Sequence, residues 1–145
     1  MSIDDYVTKI REIVPELTNI VTGRVRINLM LVFKGEEPTF NENQLKFLCG
    51  YAVGFSDVMA QVSGAKSGGS LAQTLTSSVL YELFGQELGE NLYSLAAHYM
   101  SSANRPVEFH SGMTGGAEDA NELFDGKPTH GVGRNLASFF LEEKA

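Results

Sequence analysis

Three histidines and one glutamate are the residues of this chain that could bind a metal ion or exchange protons. His98 falls in a predicted helix, whereas Glu108, His110 and His130 follow it in a stretch rich in Gly and Pro. Imidazole nitrogens and carboxylate oxygens are ligands for zinc or iron. Glu108 and His110 are only two positions apart, and no two histidines have the spacing of one helical face. We therefore favour separate histidines that bond to backbone or water over a metal site at these four residues.

Cys49 is the single cysteine of the chain, and a thiol beside a histidine could act as a nucleophile. It lies between Leu48 and Gly50 in a segment that is predicted to be a buried helix, which favours an inert core thiol. A single cysteine also excludes an internal disulfide and is typical of the reducing cytoplasm.

Two segments could bind an anion through backbone amides at the start of a helix. The first is the glycine-rich loop before the third predicted helix, and its candidate residues are Ser67, Gly68, Gly69 and Ser70. Ala65 separates Gly64 from Lys66, so the order of a nucleotide-binding phosphate loop is absent. A flexible joint with Ser70 as the helix cap is the favoured alternative. The second candidate is Arg134, before the last helix, where a simple helix entry explains the sequence equally well.

Length and charge limit the possible classes of protein. The chain has 145 residues, 43% of them hydrophobic, and a net charge of -7, which predicts one globular domain over residues 1–145. An acidic protein is repelled by phosphate backbones and anionic lipid, so neither a nucleic acid nor a membrane is expected as partner. No apolar run approaches the roughly 20 residues of a spanning helix, and the N-terminus lacks the pattern of a secretory signal. The expected location is cytoplasmic.

Hydrophobic spacing predicts a mainly α fold, a bundle of about five to six helices with an irregular Gly-rich segment near the C-terminus. Ser2 and Asp5 resemble a helix start, Pro15 marks a kink or a new first turn, and Gly23 interrupts the pattern. Asn41 is predicted to cap a long helix that ends near Val62. Two more helices follow, at 70–84 and 90–103. After residue 104 only 117–124 and 135–144 are predicted to be helical.

Glycines at positions 50 and 54 occupy one face of the second long helix. Small residues at this spacing let another helix approach closely, so they predict a tight helix crossing. Residues 24–33 are ambiguous, because their apolar positions fit both a strand and a helix. An α+β fold with a small sheet that includes 24–33 and 107–110 is the alternative.

Between Lys66 and Arg105 the chain contains no Lys or Arg, and its acids there are Glu82, Glu87 and Glu90. Helices so poor in charge are expected to be covered on more than one side, within the domain or by another subunit. The predicted interface comprises the uncharged polar side of one helix and an apolar ridge of the last helix: Gln73, Ser77 and Tyr81, with Leu136, Phe139 and Phe140. Docking of the ridge on the chain itself is the favoured alternative for the last three residues.

These observations favour a small protein that acts through protein–protein contacts and self-associates as a homo-oligomer, with no cofactor. No run of residues matches a motif specific enough to assign an activity, which favours a non-enzymatic protein. The alternative is a small-ligand or metal-binding protein, or an enzyme, with its pocket under the loop 105–134.

Overall fold

The computed structural model describes residues 2–125 and 134–144, apart from the side chains of Tyr6, Arg134, Glu143 and Lys144. This part of the chain forms six helices and no strand, which confirms the predicted mainly α bundle. Residues 24–32 and 107–110 are helical, so the small sheet of the α+β alternative does not form. The helices are α1 (Ile3–Val32), α2 (Glu42–Val62), α3 (Ser70–Phe84), α4 (Gln86–Ser101), α5 (Val107–Phe124) and α6 (Arg134–Lys144).

Helix α1 is one continuous helix of 30 residues, and it runs through Pro15 and Gly23. The predicted interruption at Gly23 is therefore wrong. An apolar stripe continues across both positions, and burial of this stripe against the bundle outweighs the local cost of a proline and a glycine. Ser2 caps the helix as predicted, accepting a hydrogen bond from the backbone amide of Asp5. The buried stripe comprises Leu17, Val21, Val25, Leu29 and Val32.

Helices α2 and α5 form the most extensive contact between any two described helices. Each presents two glycines four residues apart to the other. A Cβ added at Gly50 or Gly54 would fall on a backbone carbonyl oxygen of α5, and one added at Gly112 or Gly116 would fall on a carbonyl of α2. The two backbones are therefore in direct contact, a close approach that only residues without a Cβ permit.

The first part of helix α5, residues 107–116, was predicted to be irregular, whereas 117–124 was predicted to be helical. The 18 residues of α5 include Gly112, Gly115 and Gly116, and glycines favour a break in a helix. Gly112 and Gly116 instead contact the backbone of α2, and Gly115 lies against Asn135 of α6, so these close contacts offset the low helix propensity of glycine. Helical structure thus begins at Val107 and not at residue 117.

Helix α6 docks on the chain itself. Leu136 and Phe140 are completely buried, and the Phe139 ring stacks on Phe47 with centroids 3.9 Å apart and planes 7° from parallel. Leu136 and Phe140 therefore present no surface to a second chain, whereas Phe139 is half-buried. This burial agrees with the self-docking alternative, and an interface at Leu136, Phe139 and Phe140 stays a prediction.

The core also encloses Cys49, whose thiol donates to the carbonyl oxygen of Leu92 at 3.7 Å. Burial raises the pKa of this thiol to about 12, so it is protonated and unreactive in the folded protein. No helix among residues 2–125 and 134–144 is both long enough and apolar enough to cross a membrane.

Candidate functional site

The glycine-rich loop between α2 and α3 folds around a carboxylate of the same chain. Asp57 lies on α2 and accepts hydrogen bonds from the Ser67 hydroxyl and the Gly68 amide, each at 2.7 Å. Gln61, one helical turn further along α2, donates a third at 2.9 Å. The loop donors that the sequence assigns to an external anion therefore hold Asp57. Binding of an external anion at 67–70 stays a prediction, and it would require displacement of this side chain.

Asp57 lines a cavity of about 540 Å³ between helices α2, α3, α4 and α5. Its walls are mostly apolar, with two methionines and several alanines, and the loop residues Ser67 and Gly68 also line it. The lining includes Val53, Asp57, Ala97, Met100, Met113 and Ala117.

The charge of Asp57 has no ionic partner within the described part of the chain. The ion pairs found there join Arg26 to Glu82 and Lys46 to Glu42. Three neutral donors thus fix the position of the Asp57 carboxylate, and no Lys, Arg or His of the described residues forms an ion pair with it.

The outward side of α3 forms a second surface, a shallow depression of about 570 Å³. Gln73 and Tyr81 are exposed and Ser77 is half-buried, so the polar side predicted as an interface is open in the single chain. The Thr18 hydroxyl on α1 donates to the Ser78 hydroxyl at 2.9 Å and closes one flank. The lining contains no Asp, Glu, Lys or Arg, and it comprises Val14, Ser70, Gln73, Thr74, Ser77, Ser78, Tyr81 and Tyr93.

No family model, no curated protein and no solved structure matches the chain. We therefore infer function from the structure of the chain itself.

The predicted metal ligands do not gather among the residues that the structure describes. His98 is exposed in the last turn of α4, with its ring 5.9 Å from that of Tyr99. Glu108 is half-buried and His110 is exposed, both in the first turns of α5. Across residues 2–125 and 134–144, no three His, Cys, Asp or Glu side chains are arranged to hold a metal ion. His130 lies outside the described residues, so the four-residue site stays a prediction.

A buried polar cluster joins α2, α5 and the start of α6. Asp119, which is 4% exposed, accepts from the Tyr51 hydroxyl at 2.6 Å and from the amide and the side chain of Asn135 at 3.2 and 2.7 Å. The second predicted anion site, before the last helix at Arg134, thus also has an internal carboxyl group beside it. The Arg134 side chain itself is outside the described residues.

This cluster was not predicted from the sequence, although the sequence contains one signal of it. Asp119 continues the stripe of Phe109, Gly112 and Gly116 along α5 at spacings of three and four residues. A carboxyl group on a stripe of small and apolar residues needs buried donors, because a buried polar group without a partner is costly.

Proposed function

We propose that the protein acts through protein–protein contacts and that two copies associate through the outward side of α3. The observation that supports this proposal is the uncharged depression on α3, because it exposes hydroxyl, amide and phenol groups and no ionic side chain. Interfaces of this composition bury surface at a low cost of desolvation, and tyrosine is enriched in them.

The net charge of the protein favours this surface for self-association. Each copy has a net charge of -7, so two copies repel each other across most orientations. No charged residue occurs in the chain between Lys66 and Glu82, so an approach centred on Ser77 brings no carboxylate of α3 nearer to the axis than Glu82. The same charge distribution gives a foreign acidic or basic partner no ionic group to recognise.

The stripe formed by Gln73, Ser77 and Tyr81 is suited to pair with itself. These residues are four apart and share one face of α3, with the small Ser77 at its centre. In an antiparallel pair related by a two-fold axis at Ser77, each Gln73 lies beside Tyr81 of the second copy. The amide and the phenol can then exchange hydrogen bonds twice, once on each side of the axis.

Cysteine cross-linking tests this geometry. Ser77→Cys places two thiols next to the two-fold axis, and a disulfide requires Cα atoms within about 7 Å. The native thiol of Cys49 should not cross-link, because it is completely buried. We expect mild oxidation to convert the Ser77→Cys protein to a covalent dimer that runs at twice the chain mass on a non-reducing gel.

Ser94→Cys is the matched control, because Ser94 is an exposed serine on the neighbouring helix α4 and lies outside the depression. It should remain a monomer under the same oxidation. Ser77→Arg provides an independent measurement, since two guanidinium groups at the axis should shift sedimentation of the native protein toward the monomer. A wild-type protein that sediments as a monomer at high micromolar concentration, or equal cross-linking of both cysteine variants, would contradict the proposal.

A further inference from the structure

We propose that the cavity beside Asp57 binds a small amphiphilic cation, with the ammonium group at the carboxylate and an apolar body along the helices. The centres of the two sites differ, because Asp57 lines only the cavity and Ser77 lines only the depression on α3. The two surfaces share only Gln73 and Tyr93.

The size and walls of the cavity fit a small organic molecule. Its volume of about 540 Å³ lies within the range of roughly 300–1,000 Å³ that is usual for ligand sites. Val53 and Ala117 provide aliphatic walls, and Met100 and Met113 add two thioethers that adapt to the shape of an apolar group. An aliphatic chain in this space would be removed from water at a gain of about 0.8 kcal/mol for each buried methylene.

The charge of the ligand follows from Asp57. Two of its three hydrogen bonds fall on one carboxylate oxygen, from Ser67 and Gln61, and the third falls on the other oxygen, from Gly68. A carboxylate accepts about four hydrogen bonds, so one acceptor position remains on the oxygen that Gly68 contacts. Because three donors already fix the carboxylate, a ligand ammonium meets an oriented anion and little side-chain freedom is lost on binding.

Arg105, a described cation that contacts the apolar wall, does not neutralise Asp57. Arg105 approaches the Met113 sulfur at 3.8 Å, but its guanidinium donates to the carbonyl oxygens of Tyr99 and Met100 at the end of α4. It forms no ion pair with Asp57. An anionic ligand would therefore face an unpaired carboxylate, whereas a cation would supply the partner that Asp57 lacks.

The test is calorimetric titration of the full chain with decylamine, decanol and decanoate, which share one apolar chain and differ in the charge of the head group. We expect the wild-type protein to bind decylammonium at least about tenfold more tightly than decanol, and decanoate most weakly, because charge-assisted hydrogen bonds are stronger than neutral ones. Asp57→Asn should bring the affinities for amine and alcohol to within about threefold, since it removes the charge and keeps the shape.

Two further variants separate charge from space. Asp4→Asn changes the net charge equally at an exposed position on α1, and it should bind all three probes like the wild type. Ala97→Phe adds a ring at the exposed wall of the cavity and should weaken binding of all three probes together. Circular dichroism and thermal melting establish that each variant is folded.

Equal affinity of the wild-type protein for amine and alcohol would overturn the proposal, as would an unchanged preference in Asp57→Asn or the absence of binding by every probe. Titration in the Ser77→Arg background should give the wild-type result. Ligand binding would then not depend on self-association, so either proposal can fail without the other.

Discussion

The hydroxyl of Tyr51 on α2 donates a 2.6 Å hydrogen bond to Oδ2 of Asp119 on α5. The other oxygen of Asp119 accepts from the backbone amide and side chain of Asn135 at the start of α6. One buried carboxyl group therefore joins three helices, two of them already in backbone contact through their glycines. This cluster fixes the C-terminal helix on the bundle.

Tyr51→Phe should destabilise the protein by about 1–3 kcal/mol, because it leaves one oxygen of the buried Asp119 without its donor while the ring still fills its space. Urea denaturation at neutral pH, followed by circular dichroism, gives the change in the free energy of unfolding. Tyr99→Phe is the matched control, since the Tyr99 hydroxyl forms no hydrogen bond with the described residues, and it should change stability by less than about 0.5 kcal/mol. Equal effects of the two substitutions would show that the Asp119 bond contributes nothing.

Alkaline pH should destabilise the fold through Cys49 and Tyr51. Burial raises the pKa of Cys49 from 9.0 to about 12, and burial together with Asp119 raises that of Tyr51 well above 10.0. Both groups hold their protons more tightly in the folded state. Their stabilising contribution is complete below the unfolded pKa values and is lost as pH rises toward the folded ones.

The free energy of unfolding should therefore fall from about pH 9, by up to about 1.4 kcal/mol per pH unit for each group that the unfolded chain has ionised. Urea denaturation at pH 7, 9, 10 and 11 measures this slope. Cys49→Ala should make the slope shallower from about pH 9, and Tyr51→Phe should do so only above about pH 10. A stability that stays flat from pH 7 to 11 would contradict the burial of both groups.

The glycines between α2 and α5 should tolerate no side chain. Gly50→Ala and Gly116→Ala each place a methyl group on a backbone carbonyl oxygen of the other helix, which two packed helices can accommodate only by moving apart. We expect each to cost at least about 1–3 kcal/mol of stability, as for other overpacked cores.

Gly23→Ala is the matched control for these substitutions. Gly23 lies in the interior of α1, and a Cβ added there meets no atom within 4 Å. Alanine should therefore stabilise the helix, by up to about 1 kcal/mol. Thermal melting compares the three variants, and a higher melting temperature for Gly50→Ala than for Gly23→Ala would show that the two backbones are not in contact.

Local patterns in the sequence determine the helical class and several helix ends. Asn41 and Gln44 cap α2 reciprocally, and Gly85, with φ of +82°, separates α3 from α4, because capping and backbone conformation act within a few residues. The spacing of Gly50 and Gly54 also predicts a close helix crossing, since four residues return to the same helical face. The partner of that crossing does not follow from spacing, because α5 is more than forty residues away along the chain.

Tertiary structure alone decides where the acids lie. Asp57 looks like an ordinary surface carboxylate in the sequence, and the apolar stripe around Asp119 does not show which groups would bond it. In the fold the glycine-rich loop surrounds Asp57, and Asp119 is buried between α2, α5 and α6. The Gly68 amide, in the loop before α3, donates to Asp57, and the Asn135 amide, at the start of α6, donates to Asp119. The sequence predicts free amides at the starts of α3 and α6. It does not show which carboxyl groups accept from them, because burial and hydrogen bonding depend on which distant residues meet in the fold.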